Sequence, residues 1–401
     1  MQIDSEWSAR AAELLPTGAS TGSKRPEALY GTVDPAGPTH FVRAAGCRVE
    51  TADGSELIDC TMALGSVAIG YAEPRITQAA IDAIAQGAVS GLSHVLEVEL
   101  AERFCNVVPC AERVQFVKTG AEAMSAAVRI ARAYTGRSMV IGSGYFGWHD
   151  WSSTAPGVPD GVRRDFRPVP FDDLNALERA AADAGSQLAA IAIEPVVERM
   201  PSEQWIARAR ALCDATGAAL IFDEMKTGFR VATGGYQQLS GVTPDLAAFG
   251  KALANGFPLA AVCGKAPLMD TLKKTWVSST LAGEGGSLAA ALAVLDWHGE
   301  NDVCPELARI GGEMRERFTT ALKASGLGGI SVHGIDPMWF VKFESPDAER
   351  RFVSLAAQHG ALFKRGAYNF AALAHDEDAL VEMEAAASNA FVAMREEAGD
   401  Q

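Results

Sequence analysis

The 401-residue chain lacks concentrated positive charge: 35 Lys and Arg stand against 50 Asp and Glu, for a formal net charge of −15. With a pI near 5.0, no basic stripe is available to neutralise phosphates, which excludes a general nucleic-acid binder. Cysteine is sparse, with seven residues at 47, 60, 105, 110, 213, 263 and 304. The count is odd and no pair has Cys-x-x-Cys spacing. The set therefore reads as reduced core thiols of a cytoplasmic protein and not as a disulfide framework. His94, His149 and His375 are far apart, with no His-x-x-x-His pair, so no metal site is expected. No apolar run approaches the length of a membrane span. The N-terminus, Met1 to Trp7, has neither the basic start nor the apolar stretch of a secretory signal.

What is present is enough apolar material, 48% of residues, for a large core. Residues 17–38 are rich in Gly, Pro, Ser and Thr and predict an extended loop. Residues 41–60 alternate on either side of Asp53-Gly54, which predicts a β-hairpin. Helical and strand patterns then take turns. Helices are expected over 75–87, 94–107, 122–135 and 174–184, and strands over 114–118, 138–141, 188–193, 218–222 and 246–249. Such alternation implies an α/β fold with a mainly parallel central sheet covered on both faces. From about residue 287 the pattern changes to a long Ala/Leu-rich helix and then mixed elements, including a strand at 338–343. The expected organisation is an N-terminal segment 1–65 that forms part of the small domain, a large domain 66–286, and a C-terminal segment 287–401 that completes the smaller α+β domain.

The candidate chemistry sits where predicted strands end. One apolar run delivers Asp223 and Glu224, and a second delivers Gly250 and Lys251. A carboxylate and a lysine on neighbouring strand ends suit pyridoxal phosphate: the amine forms a Schiff base with the cofactor aldehyde, and the acid keeps the pyridine nitrogen protonated. Earlier in the chain, Thr119-Gly120-Ala121 joins a strand to a helix whose free N–H groups could hold a phosphate. The aromatic loop at 143–151 includes Tyr145 and Trp148, and a ring there can stack on a flat cofactor. Glu194 ends another strand, where a carboxylate needs a polar network around it. The glycine- and hydroxyl-rich stretch 279–286 precedes a helix and offers a second phosphate contact.

These segments, in this order over about residues 14–391, resemble the class III aminotransferases, the fold-type I pyridoxal phosphate enzymes. The branch that includes glutamate-1-semialdehyde 2,1-aminomutase is the most similar in pattern. The resemblance implies that Lys251 is the Schiff-base lysine and proton shuttle and that Asp223 pairs with the pyridinium. It also implies that Thr119, Gly120 and Ala121 hold the phosphate, that Tyr145 stacks on the ring and that Glu194 lies near the substrate. Thr280 would reach the cofactor phosphate of a neighbouring subunit, so a homodimer is implied. The departures are specific. Ala121 replaces a hydroxyl residue of the phosphate loop, Lys118 an asparagine, Phe146 a histidine and Met225 a valine. Glu284-Gly285 replaces Asn-Pro, and the aminomutase's carboxylate-binding arginine falls near Lys24, beside Arg25.

The implied activity is a ping-pong transfer of an amino group from a small-molecule donor to a carbonyl acceptor. A lysine at position 24 does not reproduce the bidentate grip of an arginine on a carboxylate. That change, together with Glu284 and the Trp148–Asp150–Trp151 patch, leans the acceptor toward an oxidised amino sugar or aminocyclitol, with a small amino or keto acid as the other choice. An intramolecular aminomutase or epimerase reuses the same residues and stays open at this stage.

Overall fold

The computed structural model describes residues 2–32 and 37–399. The chain forms two compact units, one of residues 74–304 and one in which residues up to 73 join those from 305 onward.

In the 74–304 unit a seven-stranded sheet runs in the order Arg113–Val117, Ala260–Gly264, Leu246–Phe249, Ala219–Asp223, Leu188–Ile193, Met139–Ser143, Phe166–Pro168. All strands are parallel except Ala260–Gly264, which is antiparallel to both of its neighbours. Central strands covered on both faces must be apolar throughout, and all six residues of Leu188–Ile193 are buried. Ile193 pairs with Phe222 and Asp223 with Ala248, so Glu194, Asp223 and the segment leading to Lys251 emerge from one edge of the sheet. The carboxyl edge of a parallel sheet is where such folds place their sites.

The Gly120–Thr135 helix lays an alanine-rich face (Ala123, Ala126, Ala127, Ala131) on the sheet and ends at Gly136, whose φ of 68° closes it. The Gly285–Glu300 helix is buried through most of its length, at Leu288, Ala290, Ala291, Val294 and Leu295. It packs on the Pro74–Ala85 and Val95–Val107 helices. That packing puts it in the 74–304 unit, so the division falls at 73/74 and 304/305, where the sequence pattern places it at 65/66 and 286/287.

In the other unit, Phe41–Ala45, Arg48–Thr51 and Glu56–Asp59 form an antiparallel meander, joined in parallel by Ala361–Leu362. The expected hairpin is thus three strands, because Gly46 adds a second turn at φ 60°. Within the expected 17–38 loop, Pro26 opens a short helix, Pro26–Tyr30, that Gly31 closes; residues 33–36 lie outside the described residues. A second sheet, Ile330–Ile335, Met338–Phe343 and Asn369–Phe370, packs with helices over a cluster of Phe318, Trp339, Phe352, Phe363 and Phe391.

After Glu56–Asp59, four successive residues turn left-handed: Met62, Ala63, Leu64 and Gly65, with φ of 42°, 49°, 61° and 78°. Each non-glycine residue in that conformation costs roughly 1 kcal/mol or more. Asp59 holds the turn. Its Oδ1 accepts from the N–H groups of Thr61 (2.7 Å) and Met62 (3.2 Å), and its Oδ2 from the Tyr71 hydroxyl (2.6 Å). Asp59→Ala strands two buried N–H donors and the half-buried Tyr71 hydroxyl beside a strained segment and should lower stability by roughly 2–4 kcal/mol in denaturant titration. An unchanged midpoint would show that the turn holds itself.

Candidate active site

Lys251, Asp223, Glu194, Thr119, Gly120, Ala121, Tyr145, Trp148, Thr280 and Glu284 all belong to the 74–304 unit, whereas Lys24 belongs to the other. Lys251 follows Gly250 and opens a short 3-10 turn with φ of 49°, a left-handed conformation for a long side chain. Asp223 is only 4% exposed. Its Oδ1 accepts from the Met225 N–H at 3.0 Å. Burial, then the charge of Glu194, push the Asp223 carboxyl up to about 7; the Met225 N–H, Lys251 and Lys226 pull the other way. Burial, then the positive charge of Lys226, bring Lys251 down to about 8, against the pull of Asp223 and Glu194.

The adjacent Glu224 faces away from this chemistry. It is fully buried and accepts from the N–H groups of Tyr236 (2.8 Å) and Gln237 (3.1 Å), from the Gln237 side chain, and from the Thr227 hydroxyl. Burial pushes its carboxyl up, and these four donors oppose the shift. Two consecutive acids thus divide the work: Glu224 staples the 224–237 loop, and Asp223 is left with a single N–H donor.

Glycines bring the backbone segments together. A Cβ on Gly120 or on Gly250 would lie 2.8 Å from the Met225 sulfur, so that side chain fills the space between the candidate phosphate loop and the residue before Lys251. A Cβ on Gly147 would lie 2.6 Å from the Ala121 Cβ, which seats the aromatic loop against the start of the Gly120–Thr135 helix. Gly142, Gly144 and Gly147 have Gly-x-Gly-x-x-Gly spacing, the first of them still within the Met139–Ser143 strand. No helix follows directly, so the dinucleotide reading of that pattern does not apply.

At the helix start, Thr119 and Glu122 form a capping box. The Thr119 hydroxyl accepts from the Glu122 N–H, and Glu122 Oε2 takes the N–H groups of Thr119 and Lys118. The N–H groups of Gly120 and Ala121, at the first helical turn, have no intrahelical acceptor and are the donors left for an anion. Thr119 therefore serves first as a cap, a role its position between strand and helix could have signalled.

Phe146 is buried, stacked on Trp151 at 5.6 Å and edge-on to Phe166, and so anchors the loop. Trp151 is also buried, and its indole N–H donates to the Ser125 hydroxyl. It therefore drops out of the expected substrate-facing patch. Tyr145 (73% exposed) and Trp148 (74% exposed) stand at the surface of the chain, and Thr280 is exposed as well. Glu284 is committed elsewhere. It caps the Gly285–Glu300 helix, accepting from the N–H groups of Gly286 (2.9 Å) and Ser287 (3.0 Å), and pairs with Lys118 at 2.8 Å. Burial acts to raise the Glu284 carboxyl, but Lys118 and Ser287 outweigh it and hold it below the ordinary glutamate value. Two departures from the family pattern are thus one ion pair.

Sequence reasoning gave Lys226 no role. Its Nζ lies 2.6 Å from Glu194 Oε1, with both side chains nearly buried. Glu194 Oε2 accepts from the Tyr145 N–H at 3.0 Å. The available signal was a second lysine three residues beyond Asp223 at the same strand end.

These residues fit pyridoxal phosphate. The free N–H groups of Gly120 and Ala121 suit its phosphate, and the buried Asp223 gains from a ring cation. Lys251, brought toward neutrality, suits the aldehyde. Among the described residues no group of His, Cys, Asp and Glu could hold a metal ion, and no helix is long and apolar enough to cross a membrane.

The profile of the class-III aminotransferases matches residues 32–373. The 2'-deamino-2'-hydroxyneamine transaminase of Streptomyces kanamyceticus is 34% identical over 369 residues, covering 90% of this chain and 91% of that protein. A glutamate-1-semialdehyde 2,1-aminomutase of Nitratidesulfovibrio vulgaris is 34% identical, covering 90% and 89%. Among solved structures, the FumI protein of Sphingopyxis sp. MTA144, in its PLP internal aldimine form, superposes with a TM-score of 0.94 at 26% identity, covering 100% and 98%. The chain belongs to the class III aminotransferases and is a pyridoxal-phosphate-dependent enzyme of fold type I.

Lys118→Met leaves Glu284 without its cation in a half-buried setting and should lower stability by about 1–2 kcal/mol. The double variant Lys118→Met/Glu284→Asn, which removes both charges but keeps a capping side chain, should recover most of the loss in thermal melts. A double variant as unstable as the sum of Lys118→Met and Glu284→Asn measured singly would rule out the compensation.

Proposed function

We propose that Lys251 is the lysine that carries the cofactor, with Asp223 on its ring and the helix start at Gly120 and Ala121 on its phosphate. We further propose that the amino group goes to a hydroxylated carbonyl compound of the amino sugar or aminocyclitol class. The observation that carries the first part is the placement of Lys251 and Asp223 at adjacent strand ends, with Lys251 brought toward the neutral amine that the chemistry needs and a buried Asp223 that a ring cation would hold as a carboxylate. When bound, the cofactor supplies an electron-accepting ring and an aldehyde carbon. The chain supplies the proton work. Lys251 Nζ, as a neutral amine, takes the proton from the substrate carbon that bears nitrogen and later delivers it. Asp223 as a carboxylate holds the ring nitrogen's proton.

Support for a hydroxylated acceptor comes from the likeness to the neamine transaminase over nine-tenths of both chains. The likeness to aminomutases supports the second reading, an intramolecular transfer. A homodimer accords with the apolar side chains exposed on the 74–304 unit, Leu92 (84%), Trp276 (80%), Val95 and Leu281, which lie with Tyr145 and Trp148 on the surface of a single chain. The cytoplasm accords with reduced cysteines, all of which are unpaired.

Two experiments test this. A panel of donors, glutamate, alanine, amino sugars and aminocyclitols of the 2-deoxystreptamine type, should include one that removes the cofactor's visible band without any acceptor present. Rearrangement of one substrate with no net donor consumption would favour the aminomutase reading instead. The cofactor-free full chain should capture pyridoxal phosphate faster as pH rises, with a midpoint near 8, because only the neutral amine attacks and Lys251 is brought down to about 8. A midpoint near the ordinary lysine value would contradict the site's electrostatics.

A further inference from the structure

The sheet's carboxyl edge carries a second lysine that the cofactor chemistry has not used. Lys226 follows Asp223 by three residues, and its ammonium makes a 2.6 Å ion pair with Glu194 Oε1 in nearly dry surroundings. The other oxygen of Glu194 accepts the Tyr145 N–H. Gly144, with φ of 135°, admits this contact: a Cβ there would lie 2.3 Å from the Glu194 Cβ. Glu194 is therefore clamped between the aromatic loop and the segment after Asp223. The charged groups acting on Lys251 are Lys226 and Arg230 on one side of the balance and Asp223 and Glu194 on the other. Glu194 in turn acts on Asp223 as a like charge.

We propose that Lys226 is a positioning residue of the cofactor site, holding Glu194, and through it the Tyr145 backbone, while supplying the fixed cation that lets Glu194 sit beside Asp223. The proposal rests on the assignment of Lys251 made above. Glu194 alone would be an uncompensated buried anion. It would drive Asp223 toward its neutral form, which cannot hold the ring proton, and would stabilise the protonated form of Lys251. Lys226 opposes both effects. A like charge beside a lysine amine is a known way to activate it.

The test is the pH titration of the cofactor's visible band in purified holoenzyme, with cofactor affinity from equilibrium dialysis, for wild type, K226R, K226M, E194Q and K226M/E194Q. K226M should move the midpoint up by about one pH unit, the scale of one nearby charge in a dry site, and weaken cofactor retention about tenfold. K226R should titrate as wild type. E194Q should shift the midpoint downward, and the double variant should return close to wild type, because opposite charges leave together. Should K226M fail to fold, E194Q and the double variant still carry the test. A wild-type midpoint and affinity in K226M, or K226R behaving like K226M, would overturn the proposal. A band that survives in Lys251→Ala would instead overturn the assignment on which it rests.

Discussion

Holding like charges close together in a dry site is the constraint on which this structure depends. At the carboxyl edge of the parallel sheet, two acids and two lysines share a region from which water is largely excluded. Any one of them alone would be costly to bury. Together they nearly balance, and what remains is a carboxyl pushed up and an amine pushed down, each ready to gain from a cofactor that brings a ring cation and an aldehyde. Pairs of groups whose surroundings push their proton affinities away from ordinary values are the usual mark of acid–base machinery.

The rest of the large unit can be read as support for that balance. Its central strands are apolar on both faces, so the first polar groups the chain can place are those just past the strand ends. Glu224, the immediate neighbour of Asp223, takes four donors and fixes the loop that follows. Met225 then packs under Gly120 and Gly250, tying the candidate phosphate-binding helix start to the residue before Lys251. A larger residue at either glycine would push the two binding segments apart.

Much of this was legible in the sequence, for identifiable reasons. Lys251 and Asp223 stood out because each ends an apolar run short enough to be a buried strand. The parallel sheet followed from strand–helix alternation. What escaped the sequence depended on contacts between distant segments. Glu284 read as a carboxylate at the active-site rim, yet it caps the helix that begins one residue later and pairs with a lysine 166 positions earlier. Trp151 read as part of a substrate-facing patch with Trp148 and Asp150, but Phe146 and Phe166 bury it. The antiparallel strand Ala260–Gly264 is too short and too small in side chain to show a period. The left-handed turn at Met62–Gly65 has only one glycine to announce it, because Asp59 stabilises it from outside. Lys226 was passed over because its partner Glu194 lies on another strand.

The central claim is that, of the two lysines in this cluster, Lys251 bonds to the cofactor and Lys226 serves by its charge. Borohydride reduction of the holoenzyme followed by peptide mass spectrometry reads this directly, since reduction fixes the pyridoxyl group on the lysine that bears it. The account predicts the label on the peptide containing Lys251 and none on Lys226. A pyridoxyl group on Lys226, or no stable label on either lysine, would contradict it.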